Sequence, residues 1–184
     1  PITPETVFDI ASISKQFGAM AALLLEAQGR LDLEEDVRAY VPELPDFGHT
    51  IVPRHLIHHT SGIRDWPHVM NLGGVDYSDV ISFEKILRML YQQRAINFPP
   101  GTEYAYSNTG YNLLARTIEA QSSMTFRAYT QEQIFEPLGM THTHFSDDYL
   151  EIVPGRAESY APVGDEDDGV FRRQINQLTA LASS

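Results

Sequence analysis

The run Phe17-Gly18-Ala19-Met20-Ala21-Ala22-Leu23-Leu24-Leu25 offers almost no polar face to water in any helix it forms. Such a helix is expected to be buried rather than to lie on a surface. Directly ahead of it, Phe8-Asp9-Ile10-Ala11-Ser12-Ile13-Ser14-Lys15 places a hydroxyl and an amine three residues apart. That spacing sets Ser12 and Lys15 on one side of a helix, about 5–6 Å apart at Cβ. Nucleophilic catalysis gives such a pair a purpose. The amine takes the hydroxyl proton, and the positive helix N-terminus favours the charge that develops.

The chain carries its own control. It contains two lysines, Lys15 and Lys85, and each lies three residues after a serine. Ser82-Phe83-Glu84-Lys85 reads as an N-cap followed by an amphipathic helix with Phe83, Ile86, Leu87 and Leu90 inward. Lys85, Arg88 and Gln92 then share the solvated face. A bare Ser-x-x-Lys is therefore as compatible with a cap and a surface lysine as with an active site, and only context favours Ser12.

A second motif follows at Phe98-Pro99-Pro100-Gly101-Thr102-Glu103-Tyr104-Ala105-Tyr106-Ser107-Asn108-Thr109-Gly110. Pro-Pro-Gly is strong turn punctuation, and Tyr106 and Asn108 project to one side if the segment is locally extended. A phenol with its ordinary pKa of about 10 is a poor base at neutral pH, but a neighbouring lysine cation favours the phenolate. Asn108 supplies a donor and an acceptor for a substrate amide or for the lysine. Taken alone, the same residues also fit a loop tyrosine beside an asparagine turn.

Together, Ser12-x-x-Lys15 and Tyr106-Ser107-Asn108 resemble the penicillin-recognising serine hydrolases. The similar branch holds class C β-lactamases, D-alanyl-D-alanine carboxypeptidases and related esterases; class A enzymes carry Ser-Asp-Asn instead. The resemblance extends through Gly29–Val37, Tyr40–Pro45, His55–Ile63 and Ile134–Met140, in family order from about Thr6 to about Phe145. It implies an α+β, β-lactamase/transpeptidase-like fold. Residues 1–184 would be a partial domain, mainly its helical part, with N-terminal and C-terminal sheet strands missing. It also implies Ser12, Lys15 and Tyr106 as catalytic residues and Asn108 as a substrate-binding residue. Ser12 would form an acyl-enzyme on a β-lactam, a D-Ala-D-Ala-type peptide or a small ester, without a metal or organic cofactor. A non-catalytic ligand- or partner-binding module is the competing reading. The family's third motif, Lys-Thr-Gly or His-x-Gly on a strand, is absent, and with it one oxyanion donor. The missing sheet would come from further chain or from another copy.

Composition narrows the partners. With 25 acidic against 13 basic side chains the formal charge is −12, which disfavours nucleic acid and anionic membranes. No apolar run approaches the roughly 20 residues that span a bilayer. No cysteine is present, which excludes thiol catalysis, disulfides and zinc-thiolate sites. The compartment stays open; the resemblance is compatible with a periplasmic or secreted protein, although no signal segment is visible.

Periodicity and punctuation predict the nucleophile helix to about Gln28 with Gly29 beyond its end, and a short helix from Arg54 to His59. They predict a loop from Trp66 to Asp79 around Gly73-Gly74, and helices from Ser82 to about Arg94, after Tyr111 and over Thr125–Phe135. An acidic turn is predicted at 165–169. His55, His58 and His59 have metal-ligand spacing on a helix but no carboxylate among them; His142-Thr143-His144 is a weaker version.

Overall fold

A computed structural model describes residues 2–75, 79–163, 169–174 and 178–179. A 3-10 turn, Ala11–Ser14, leads into α1 (Lys15–Ala27), and a second 3-10 turn covers Val37–Ala39. Then come α2 (Pro53–Ile57), α3 (Trp66–Leu72), β1 (Ile81–Ser82), α4 (Phe83–Tyr91), α5 (Asn108–Ser122) and α6 (Phe126–Thr130), which continues as a π turn over Gln131–Phe135. The strands β2 (Ser159–Pro162), β3 (Phe171–Gln174) and β4 (Leu178–Thr179) close the order. Two small sheets form: β2 pairs antiparallel with β3, and β1 pairs parallel with β4. The acidic turn predicted at 165–169 falls almost entirely outside the described residues.

The central element is α5. Thr109 to Ala115, Thr117, Ile118 and Ser122 are all buried, because α1, α2, α3, α4 and α6 pack around it. Ser107 opens it as N-cap, its hydroxyl accepting from Gly110 N–H at 3.1 Å. Helix α1 packs on α5 and buries Gly18, Ala21, Ala22 and Leu25.

The expectation of an all-round buried α1 needs correction. Met20 and Leu23 are each 45% exposed, and Ile13 in the preceding turn is 63% exposed. Hydrophobicity around a whole helix shows that burial is favourable everywhere, but not which neighbours are present to provide it. The end of α1 matches the sequence reading: Gly29 adopts φ +67, and its N–H and that of Arg30 close on Glu26 and Leu25 carbonyls at 2.8 and 2.9 Å.

The predicted Trp66–Asp79 loop is also corrected, since its first half is α3. Pro67 sits in the first turn, where its missing N–H costs nothing. Trp66 and Met70, one turn apart, pack with Ile81 and Ile86 in a second small core. Gly73 and Gly74 then end the helix. Residues 76–78 of that segment lie outside the described residues.

At Ser82 the cap reading stands: its hydroxyl accepts from Lys85 N–H at 3.2 Å, and Phe83, Ile86, Leu87 and Leu90 are buried. No described helix is long and apolar enough to cross a membrane.

Segment 59–62 is laced to segment 97–105 by Asn97 N–H to Gly62 O, Gly101 N–H to Thr60 O and Ala105 N–H to His59 O, at 2.8–2.9 Å. Gly62 allows the approach. Its φ is +71, and a Cβ there would lie 2.1 Å from the Phe98 carbonyl oxygen. At Gly48, with φ +75, a Cβ would meet nothing within 4 Å. Gly48→Ala should therefore lose only the roughly 1–2 kcal/mol of left-handed strain, and Gly62→Ala clearly more, because backbone must also move. Denaturant titration of both variants checks this; equal losses would contradict the packing described.

Candidate active site

Lys15, the first residue of α1, is 6% exposed. A buried ammonium must be held by polar partners. Its Nζ donates to Ser12 Oγ at 3.0 Å and to Asn108 Oδ1 at 2.9 Å, and lies 5.0 and 5.6 Å from the ring centres of Tyr106 and Tyr111. The Tyr106 hydroxyl donates to Ser12 Oγ at 2.6 Å. The structure thus brings together all four residues singled out from sequence: Ser12, Lys15, Tyr106 and Asn108. Ser12 and Tyr106 stand open to solvent, while Lys15 and Asn108 form the floor.

Each is placed by a different device. Ser12 sits in the 3-10 turn, and the residue before it, Ala11, has φ +46. A non-glycine residue there stores of order 1–3 kcal/mol, a cost found mainly where surrounding structure fixes a functional geometry. Ala11 N–H donates to Asp9 Oδ1 at 2.9 Å, bracing the turn. Asn108 is the first residue of α5, and Tyr106 lies just ahead of the extended cap residue Ser107 (φ −138, ψ 114).

Two further residues organise the site and were missed in the sequence. Asp65 Oδ1 accepts from the N–H groups of Asn108 and Thr109 at 2.6 and 3.1 Å, and Oδ2 accepts from Asn108 Nδ2 at 2.9 Å. A carboxylate at a helix N-terminus is favourable in itself. Here it also fixes the amide, leaving Oδ1 for Lys15. Thr109 Oγ1 accepts from Trp66 N–H at 2.7 Å, so the starts of α3 and α5 are locked together. Asp65 precedes Trp66 as an ordinary helix-start residue, and no local signal points to a partner 43 positions away.

The second missed residue is His59. It adopts φ +58, its Nδ1 accepts from Ser107 N–H at 3.1 Å, and its ring packs on Tyr106 with centres 4.4 Å apart. Burial, with the Lys15 charge next, holds its pKa below the ordinary histidine value. His55 Nδ1 accepts from Val52 N–H at 3.3 Å. Among the described residues no group of three His, Asp or Glu side chains could hold a metal ion.

A cavity of about 570 Å³ is walled by Phe8, Ile10, Phe17, Phe135, Met140 and Phe145. Ser12, Lys15, Tyr106 and Asn108 do not line it.

The Beta-lactamase family profile matches residues 1–174. The chain belongs to the beta-lactamase family. A penicillin-binding protein from Bacillus subtilis is 34% identical over 161 residues, 88% of this chain and 35% of that protein. A D-aminopeptidase from Gluconobacter oxydans is 32% identical, covering 76% of this chain and 26% of its own length. Among solved structures, the octameric penicillin-binding protein homologue from Pyrococcus abyssi superposes on the whole chain with TM-score 0.83 and 30% identity, over 42% of its length. The fold is thus β-lactamase/transpeptidase-like, mostly helical over this span, and the chain spans about a third of the curated relatives it matches.

Burial also lowers the His55 pKa. A histidine with a depressed folded pKa binds protons more readily when unfolded. The stability it supports is complete above about pH 6.5 and declines as pH falls through the folded value. Melting temperature should therefore begin to drop as pH falls below about 6.5, and His55→Gln with His59→Asn should flatten that slope. An unchanged slope in the double variant would contradict the assignment.

Proposed function

We propose that the native protein is a serine hydrolase working through an acyl-enzyme on Ser12. The carrying observation is the bracketing of one exposed serine oxygen by the Tyr106 hydroxyl at 2.6 Å and Lys15 Nζ at 3.0 Å. In this reading Ser12 Oγ attacks a substrate carbonyl and its proton passes to the Tyr106–Lys15 pair. The proton acceptor in this step is the deprotonated Tyr106 oxygen, whose negative charge the Lys15 ammonium offsets and which becomes the neutral phenol. When the tetrahedral intermediate collapses, the carbonyl–nitrogen or carbonyl–oxygen bond breaks and the pair returns the proton to the leaving amine or alcohol. Water then repeats the sequence on the ester and releases Ser12. Ser12 N–H serves as one oxyanion donor, and Asn108, anchored by Asp65, orients Lys15 and the substrate amide.

The substrate class is a β-lactam, a peptide or amide with a D-configured residue, or a small ester. The relatives named as penicillin-binding proteins and D-aminopeptidases support this range. The second oxyanion donor is proposed to come from chain outside residues 1–184 or from another copy.

Treatment of the full-length native protein with a fluorophosphonate or a β-lactam, followed by peptide mapping, should place the adduct on Ser12. Ser82, tied up as a helix cap, should remain unmodified. Modification at Ser82, Ser61 or Ser107, or tight binding without any adduct, would overturn the reading; the last result would indicate a recognition module instead.

A further inference from the structure

His59 is a costly residue at its position. Its left-handed backbone, φ +58, is uncommon for a non-glycine residue, and its ring sits half-buried between three tyrosines. The centre distances are 4.4 Å to Tyr106, 5.2 Å to Tyr111 and 5.9 Å to Tyr104. Two hydrogen bonds tie it to the residues on either side of Tyr106. Its carbonyl accepts from Ala105 N–H at 2.9 Å, and its Nδ1 accepts from Ser107 N–H at 3.1 Å. Tyr106 itself is 43% exposed, so solvent cannot fix its ring; the His59 face is the packed side.

We propose that His59 is a positioning residue for Tyr106, setting where the phenol oxygen sits over Ser12. The proposal rests on the reading of Ser12, Lys15 and Tyr106 as an acyl-transfer group. His59 acts at three points at once: its carbonyl accepts from the backbone before Tyr106, its imidazole Nδ1 accepts from the backbone after it, and its ring supports the Tyr106 ring between. A hydrogen bond of 2.6 Å from a half-exposed phenol needs such support, since displacement of about 1 Å can cost 10²-fold in rate.

The charge state of His59 follows from the same contacts. Ser107 N–H points at Nδ1, so that nitrogen must present a lone pair, and the proton of the neutral ring is on Nε2. Protonating Nδ1 would set two N–H groups against each other. The groups facing the ring are Lys15 on α1, Tyr111 on α5, Tyr104 and Tyr106 on the preceding loop, Asp65, and the adjacent His58. Lys15 and His58 oppose protonation as burial does, and Asp65 favours it. The balance lies toward the neutral form.

The test is a double-mutant comparison on the full-length native protein. The rate of Ser12 modification by a fluorophosphonate is measured for His59→Asn and His59→Phe, each with and without Tyr106→Phe. Asn retains an acceptor and tolerates the left-handed backbone, so it reports even if the Phe variant does not fold. With Tyr106 present, each change should lower the limiting modification rate roughly tenfold or more and leave the half-saturating probe concentration unchanged. In the Tyr106→Phe background the same changes should matter less than about twofold, because the group they position is gone. Equal losses in both backgrounds, or no loss in either, would overturn the proposal and reduce His59 to a loop support. Wild-type protein left unmodified at Ser12 would instead remove the nucleophile assignment, and this proposal with it.

Discussion

A lysine ammonium withdrawn from water is the constraint around which the cleft is arranged. Lys15 is 6% exposed, and a buried charge is tolerated only with good polar partners. Those partners come from two places in the chain, Ser12 one turn earlier and Asn108 from the head of α5. Neither would hold its geometry alone. Asp65 grips the Asn108 side chain and two α5 N–H groups, and the Ala11 turn holds Ser12 ahead of α1. The result is one connected series from Asp65 through Asn108 and Lys15 to Ser12 and Tyr106. Its members lie on α1, on α5, in the 3-10 turn before α1 and in two loops.

The remaining architecture keeps α1 and α5 in register. Helix α1 packs on α5, and α5 is surrounded by α2, α3, α4 and α6. The segment 59–62, closed by the tight approach of Gly62 to Phe98, fastens the tyrosine loop above them. Deformation of any of these contacts would be felt as a change in the 2.6–3.0 Å separations at Ser12.

Local chemistry was readable from the chain. The Ser82 cap, the inward face of α4 and the Gly29 terminus all depend on residues within one or two turns. The apolar run behind Ser12 and the amphipathic one behind Ser82 distinguish the two Ser-x-x-Lys pairs within the chain itself. Tertiary pairings were not readable. Asp65 and His59 act on residues 43 to 48 positions away, and no local pattern announces them. Helix α3 is hidden in the sequence by Gly73-Gly74, while the Trp66–Met70 spacing that packs it shows only against Ile81 and Ile86. The exposed side of α1 shows the same limit: hydrophobicity specifies a demand for burial but not the neighbour that meets it.

The central claim is that Lys15 and Tyr106 act as one proton-transfer unit on Ser12, and a double-mutant cycle on the acylation rate tests it most directly. Lys15→Ala and Tyr106→Phe should each slow acylation by roughly 10²-fold or more. The double variant should be little slower than the worse single one, since residues acting as a unit are strongly non-additive. Multiplicative losses, or an unchanged rate in either single variant, would contradict the account.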